Sequence, residues 1–516
     1  MELNSKKSES IWILDFGSQF TQLIARRVRE LGVFSRVVPY SVKPEEIDWD
    51  TARGLIFSGG PASAAAPGAP ACDPSLFERA IPKLGICYGL QLYGKHRGGR
   101  LAQSHQREYG RARFSRVKDH PLLAGIPDSF DVWMSHGDTL VDLPPGMTIL
   151  GKTNTVEAAA VADPDRQFWG VQFHPEVNHT EHGREILKHF LYDICHCRGG
   201  WNAGMFAEEA IAGVREQVGE KQVVLGISGG VDSAVLSVLL QHAIGPRSHP
   251  VFVDTGLLRN DEASQVVDAL RGVGVHITVV NAAERFLSAL DGVVDPEQKR
   301  KIIGRVFIDI FEAEAKRIGK IEFLAQGTLY PDWIESVSVA GPSSVIKSHH
   351  NVGGLPERMH LKLVEPLRWL FKDEVRAVGK HLGLPEHILG RHPFPGPGLA
   401  VRILGAVTRP DLELLRRADT IYLEELHKSG WYDKIWQAFS VLLPIQSVGV
   451  MGDERTYERV VALRAVTSTD GMTADWAEIP HELLGQISNR IINEVPGINR
   501  VVYDISSKPP ATIEWE

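Results

Sequence analysis

Val223-Val224-Leu225-Gly226-Ile227 leads directly into Ser228-Gly229-Gly230-Val231-Asp232-Ser233, and the chain is apolar again from Ala234 to Ala243. A short β-rich run, a Gly-rich turn and an apolar helix in that order predict one βα step of a parallel sheet. Glycines let the backbone approach an anion closely. Successive N–H groups and the helix N-terminus would then hold a phosphate. Ser228 and Ser233 add hydroxyl donors. Asp232 can hold Mg²⁺, which prefers carboxylate and phosphate oxygens. This is not a Walker A loop, because the Gly-Lys-[Ser/Thr] ending is missing.

The next strand, Val251–Asp254, ends on an aspartate. Ligands of open α/β sheets bind beyond the C-terminal strand ends, so Asp254 is well placed for ATP. A strand-end Asp can equally cap a helix. Leu324–Gln326 and Val364–Pro366 read as later strands of the same unit.

Upstream, the first third alternates in the same way. Ile11–Phe16 is an expected strand, Ser18–Leu31 a helix, and Gly54–Phe57 a strand that ends in Ser58-Gly59-Gly60-Pro61. Pro61–Pro70 is a loop. The unit closes near Cys197, and Arg198-Gly199-Gly200 is a plausible linker before a second α/β unit from about Glu208. A third segment starts at His392-Pro393-Phe394-Pro395-Gly396-Pro397-Gly398, where three prolines exclude regular structure. The expected fold class is α/β, with a smaller α+β domain at the C-terminus, and the last residues, KPPATIEWE, make a β-prone tail.

Gly85-Ile86-Cys87-Tyr88-Gly89 follows an apolar run and precedes a helix. It is the thiol counterpart of a nucleophile elbow. A sharp strand-to-helix turn raises the side chain above the sheet, and the helix N-terminus favours a thiolate and an oxyanion. A buried structural cysteine is the bland alternative. Gly170-Val171-Gln172-Phe173-His174-Pro175-Glu176 supplies the other half. His174 and Glu176 are two apart, so they share a face of an extended segment. The carboxylate can hold the imidazole in one tautomer while its other nitrogen meets the thiol.

These two motifs together look like a class I glutamine amidotransferase. The resemblance implies Cys87 as the nucleophile, His174 as general base and acid, and Glu176 as its orienter. Ser58-Gly59-Gly60-Pro61 resembles that family's oxyanion strand, with an N–H of Gly59 or Gly60 joining that of Tyr88. Gln91 and Ser135-His136-Gly137-Asp138 match positions that contact glutamine. One departure is Lys95-His96-Arg97 before Gly98-Gly99, where family members usually continue an apolar helix.

Ser228–Ser233 resembles the PP-loop of the ATP pyrophosphatases, which split ATP between the α and β phosphates. The stretches Arg300–Phe307, Leu324–Ser336, Ile346–Pro356, Lys372–Arg376, Arg391–Leu399, Ser447–Asp453, Ser488–Val495 and Val501–Glu516 resemble GMP synthase, in order, over nearly the whole chain. The resemblance implies an amidotransferase domain over 10–198, an ATP pyrophosphatase over 200–391 and a dimerisation domain over 392–516, hence a homodimer. AMP would pass from ATP to the 2-oxygen of XMP, and ammonia would displace it to give GMP. Arg300, Lys508, Ile513 and Glu514 would bind XMP, and Lys347–Gly354 would belong to a lid over ATP that couples nucleotide binding to Cys87.

Composition agrees. The 516 residues allow about three domains. Hydrophobic content of 43% and charged content of 23% are those of a globular protein. A net charge of −8 argues against a nucleic-acid surface. Four cysteines, Cys72, Cys87, Cys195 and Cys197, make no disulfide framework. Neither a signal peptide nor a membrane span is read, so a cytoplasmic enzyme is expected. Neither His349-His350 nor Cys195-His196-Cys197 has zinc-site spacing, and the latter reads as a helix end. An RNA-thiolating enzyme would want cysteines beside the loop, a relic scaffold would not keep both sites intact, and a ligase making CTP or NAD⁺ would not carry KPPATIEWE.

Overall fold

A computed structural model describes residues 9–330, 361–451, 454–468 and 473–516, with backbone alone over 103–108 and at 451. The proposed lid at 347–354 and the pair at 349–350 lie outside the described residues. The chain packs as two compact units, one formed by the N-terminal residues to Phe206 and the other beginning at Ala207.

In the first unit, β1 (Ser10–Asp15), β2 (Phe34–Pro39), β3 (Ala52–Phe57), β4 (Lys83–Ile86), β5 (Arg100–Arg116), β6 (Ser129–Asp142), β7 (Thr148–Lys152), β8 (Ala160–Asp163) and β9 (Phe168–Val171) form one sheet. Its order is β2-β1-β3-β4-β9-β8-β7-β5-β6. The pairs from β2 to β9 are parallel and those from β9 to β6 antiparallel. Ile11, Trp12, Ile13 and Leu14 are all buried, as a strand covered on both faces requires. Helix α1 (Thr21–Glu30) follows β1, starting a little later than the sequence predicts, and α2 (Tyr88–His96) follows β4. Lys95-His96-Arg97 end α2. The Lys95 ammonium in the last turn suits the negative pole of the helix, and its Nζ also donates to Ala64 O at 2.7 Å. Cys195-His196-Cys197 follows a π-helical turn at Phe190–Ile194, a helix end as read.

In the second unit, β10 (Gln222–Ile227), β11 (Ser248–Asp254), β12 (Thr278–Asn281), β13 (Ile321–Ala325) and β14 (Lys362–Val364) form an all-parallel sheet ordered β12-β11-β10-β13-β14. Strand order reverses at β10, whose C-terminal end is therefore a switch point where such sheets bind ligands. Helix α3 (Val231–Ile244) starts there and is buried on nearly all sides, which explains its all-round apolar sequence. Helices α4 (Glu262–Gly272), α5 (Pro296–Ile318) and α6 (Lys372–His381) complete this layer.

The C-terminal segment adds α7 (Arg409–Lys428), the long hairpin β15 (Gln437–Met451) and β16 (Glu454–Thr467), the short β17 (Asp475–Trp476), α8 (His481–Glu494) and β18 (Ile498–Asp504). One hydrophobic core runs from Val224 and Val251 through Leu399 and Leu415 to Ile487 and Ile498, so this segment and the parallel sheet share their packing. The β-prone tail forms no strand. After Asp504 it makes one bridge, Lys508 with Ala474, because Pro509 and Pro510 offer no N–H to a ladder. Among the described residues no helix is long and apolar enough to cross a membrane.

Candidate active sites

The first site lies where β4, β9 and β6 meet α2. Cys87 takes φ 49°, ψ −100°, a strained turn between β4 and α2. Two glycines make that turn possible. A Cβ at Gly85 would stand 2.6 Å from Phe168 Cζ and 2.7 Å from Leu90 N, and one at Gly89 would stand 2.3 Å from Phe57 O. The Cys87 N–H donates to Val171 O at 2.8 Å, which fastens the elbow to the end of β9.

Beyond β9 the chain does not stay extended as the spacing suggested: it bends at Gln172 and Phe173 and turns at Pro175 and Glu176, yet His174 and Glu176 still meet while Phe173 enters the core. The polar side chains of Gln172, His174 and Glu176 are buried, at 0%, 3% and 0% exposure. His174 Nδ1 is 2.7 Å from Glu176 Oε1, and the ring lies within hydrogen-bonding reach of the Cys87 sulfur. Burial alone would drive this histidine neutral. The Glu176 carboxylate and the sulfur outweigh it and raise the imidazole to about 10. Thr180 Oγ1 donates to His174 O at 2.6 Å, Arg27 Nε donates to Glu176 O at 3.0 Å, and Phe20 meets the imidazole edge-on at 5.1 Å.

The loop after β3 closes one side. Ser58 is pinned through Phe16 N to its Oγ (3.1 Å) and Gly89 N to its carbonyl (3.1 Å). A Cβ at Gly59 would lie 3.1 Å from His174 Cε1, and one at Gly60 would lie 3.0 Å from Phe16 O and 3.3 Å from Tyr88 Cγ, so both peptides sit against the elbow. On β6, Ser135 presents its carbonyl, which accepts from Cys87 Sγ at 3.7 Å. His136 is buried, and burial pushes it down to about 4. Gln91 Nε2 donates to Asp138 O at 2.7 Å, and Ser63 bonds the Asp138 carboxylate. Every residue expected at the first site thus falls in one neighbourhood. Gln172, with Nε2 donating to Cys87 Sγ at 3.5 Å, was not singled out from sequence, although its place just before Phe173-His174 carries that signal.

In the second unit, the loop from Ser228 to Gly230 leaves β10 with Gly229 at φ +82°. Ser233 Oγ donates to Gly230 O at 3.1 Å and accepts from Ser228 N at 3.3 Å. Asp232, in the first turn of α3, takes Lys372 Nζ at 2.7 Å on both carboxylate oxygens. Lys372 opens α6, and sequence reading quoted its segment without giving it a role. Asp254 ends β11, and its Oδ1 accepts from Gly256 N at 3.0 Å, closing a local turn rather than a helix.

The residues expected to hold XMP gather around the tail, each with protein partners. Arg300 Nη2 donates to Glu516 O at 2.5 Å. Glu514 receives Arg402 Nε and Nη2 at 3.2 and 2.9 Å and Gln437 Nε2 at 2.7 Å. Ile513 packs with Phe439, Val441 and Ala462. Lys299 bonds Glu516 Oε2 at 2.6 Å, and Arg464 bonds Ser506 O at 2.5 Å and Thr512 O at 3.2 Å. Lys299, Arg402 and Arg464, all fully buried, thus fix a segment that has almost no secondary structure of its own.

Comparison with known proteins adds three matches to family models: glutamine amidotransferase class-I over residues 12–194, NAD synthase over 207–295, and GMP synthase C terminal domain over 424–515. Over the full length, the chain is 56% identical to GMP synthase (glutamine-hydrolyzing) of Aquifex aeolicus, covering 98% of this chain and 99% of that one. The protein of that name from Chlorobium phaeobacteroides is 56% identical over 98% of this chain and 100% of its own. That of Nitratidesulfovibrio vulgaris is 57% identical over 98% of both chains. The NAD synthase match spans the phosphate loop and stops at residue 295, well short of the C-terminal segment.

Proposed function

The chain belongs to the glutamine-hydrolysing GMP synthases, and from that premise we propose how its own residues divide the work. The enzyme hydrolyses glutamine to ammonia, adenylates XMP with ATP, and aminates it to GMP with release of AMP and pyrophosphate.

At the first site the Cys87 proton rests on His174, held there by the Glu176 carboxylate, and the thiolate attacks the side-chain amide carbon of glutamine. The oxyanion is held by the N–H of Tyr88 and of Gly59 or Gly60. His174 returns the proton to the departing ammonia, and water, deprotonated by the same imidazole, then cleaves the thioester. Glu176 keeps the ring oriented and charged. Gln91, Ser135 and His136 line the glutamine pocket. The observation that carries this reading is the buried line from the Cys87 elbow through His174 to Glu176, closed by the 2.7 Å imidazole–carboxylate bond.

At the second site Ser228, Gly229, Gly230, Val231, Asp232 and Ser233 cradle the pyrophosphate of ATP, and Asp254 lies on the neighbouring strand end. Mg²⁺ fits here as the companion of ATP. Among the described residues no group of three His, Cys, Asp or Glu could form a protein-only cage, whereas Mg²⁺ commonly takes one or two carboxylates with phosphate oxygens. Asp232 would hold it, and the ion would neutralise charge on the phosphates. Lys372, which pairs with Asp232, is then within reach of a phosphate. Arg300 and Lys508 suit the XMP phosphate, with Ile513 and Glu514 shaping the tail around the nucleotide.

Segments 10–198, 200–391 and 392–516 are assigned to glutaminase, adenylation and dimerisation. What supports a homodimer is the hairpin β15–β16, where Val448 and Tyr457 face each other across the strands and stay exposed, with Val450, 72% exposed, beside them. Four unpaired cysteines accord with a reducing cytoplasm.

The test supplies ATP, Mg²⁺ and XMP with either glutamine or ammonium, for the wild type and Cys87→Ala. GMP from both nitrogen sources in the wild type, but from ammonium alone in the variant, is expected. GMP from glutamine in Cys87→Ala would remove Cys87 from the first site.

A further inference from the structure

Gln172 is a fully buried amide that the proposed mechanism does not use. The backbone, not a rotamer, brings it to Cys87. Strands β4 and β9 pair in parallel with Ile86 opposite Val171, so Cys87 and Gln172 are the next residues on each strand. Both are held there by backbone bonds, Cys87 N to Val171 O at 2.8 Å and Gln172 N to Ala159 O at 2.9 Å. Its Nε2 donates to Cys87 Sγ at 3.5 Å, and its Oε1 has no hydrogen-bond partner among the described residues. A buried acceptor left without a partner is a cost to folding, so the amide is poorly explained as a stabilising element.

Two bonds at the sulfur correspond to its two protonation states. As a thiol, Cys87 donates to Ser135 O at 3.7 Å. As a thiolate it can only accept, and Gln172 Nε2 is a neutral donor pointed at it beside His174. We propose that Gln172 is a further catalytic residue of the glutaminase site, stabilising the Cys87 thiolate through its side-chain N–H. The proposal rests on the assignment of Cys87 as nucleophile. The proton leaving sulfur still goes to His174; Gln172 neither gains nor loses one. Hydrogen bonds to a charged form favour that form. The titratable group at the sulfur is His174, backed by Glu176, and His136 on β6 in turn interacts with His174 and Asp138. Substituting Gln172 removes none of them.

The test is the pH dependence of Cys87 alkylation by iodoacetamide in the full chain, read by mass spectrometry at the peptide carrying Cys87. Gln172→Met keeps length and removes the donor. Gln172→Glu keeps shape and replaces the donor with an anion. In Gln172→Met the alkylation inflection is expected to rise by about one pH unit, with about a tenfold fall in glutamine-dependent GMP formation at neutral pH. In Gln172→Glu it is expected to rise further. Ammonium-dependent synthesis, which uses the second unit, is expected at the wild-type rate in both, and an unchanged near-ultraviolet circular dichroism spectrum and melting profile report folding of the first unit. An inflection that stays at the wild-type pH overturns the proposal. So does a lost glutamine-dependent rate with an unmoved inflection, which would assign Gln172 to substrate binding instead. Cys87→Ala separates the two levels: glutamine-dependent synthesis surviving in that variant would defeat the nucleophile assignment itself, whatever Gln172 does.

Discussion

Gly89→Ala tests the elbow by sterics alone. The added Cβ would stand 2.3 Å from Phe57 O, 2.6 Å from Phe57 Cβ and 2.8 Å from Phe57 C, and two of those three atoms are backbone of β3. Non-bonded atoms do not settle much below about 3 Å, so the first turn of α2 must withdraw from β3 by roughly 0.7 Å. The bond from Gly89 N to Ser58 O, now 3.1 Å, then lengthens past the useful range. Cys87 moves with the turn, away from Gln172 and His174. Overpacking of this kind costs about 1–3 kcal/mol, and displacing a reacting group by about 1 Å costs about a hundredfold in rate. XMP loss is followed optically with saturating glutamine and, separately, with ammonium. The glutamine-dependent rate is expected to fall about a hundredfold while the ammonium-dependent rate holds. Wild-type turnover with glutamine would refute the steric argument. An equal fall with both nitrogen sources would refute its confinement to the first site.

Glu176→Gln removes the charge that raises His174 to about 10 against the opposing pull of burial. A histidine raised in the folded state contributes stability that is complete below its free value of 6.5 and is lost as pH rises through about 10. In the variant burial prevails, so the high-pH limb of the glutamine-dependent pH–rate profile should move toward neutrality and the rate should fall about a hundred- to ten-thousandfold; an unmoved limb contradicts this. Lys372→Met takes the only described cation off Asp232 and deprives a bound phosphate of a charged donor. KM for ATP should rise about tenfold or more with the KM for glutamine unchanged, and an unchanged KM for ATP would count against a phosphate role. Val450→Asp places a charge on the exposed hairpin face, and light scattering should show a shift from dimer to monomer. A wild-type mass would place the interface elsewhere.

Much of this was legible in sequence because the signals are local. Ile11–Phe16 and Val223–Ile227 read as strands from their short apolar runs, and the structure shows why they are apolar without alternation: Ile11–Leu14 and Val223–Leu225 are buried throughout. The two glycines of the Cys87 elbow mark places where any side chain would strike β3 or α2. The pair His174 and Glu176 is only two residues apart, so the imidazole and carboxylate meet even though the segment turns there instead of staying extended. What was missed depends on partners far away in the chain. Lys372 meets Asp232 across 140 residues, Arg402 meets Glu514 across 112 and Lys299 meets Glu516 across 217. A buried lysine in a helix and an arginine in a Gly-Pro-rich turn look like solvated charges until the tail folds onto them. The antiparallel end of the first sheet escaped for a related reason. β6 alternates buried and half-buried residues like one strand of a surface hairpin, and only pairing through β7 and β8 joins it and β5 to the parallel strands. The tail itself looked β-prone because Thr512, Ile513 and Trp515 favour strands, a preference defeated by two prolines and by side chains that the buried cations hold.

The central claim is that nitrogen released at Cys87 becomes the amino group of GMP, and its most direct test follows the nitrogen. The full chain is given XMP, ATP, Mg²⁺ and glutamine carrying heavy nitrogen in its side-chain amide, with unlabelled ammonium present at a level too low to support synthesis alone. The mass of the isolated GMP is then measured. The account predicts heavy GMP from the wild type, and only light GMP from Cys87→Ala when ammonium is raised. Light GMP from the wild type, or heavy GMP from Cys87→Ala, would contradict it.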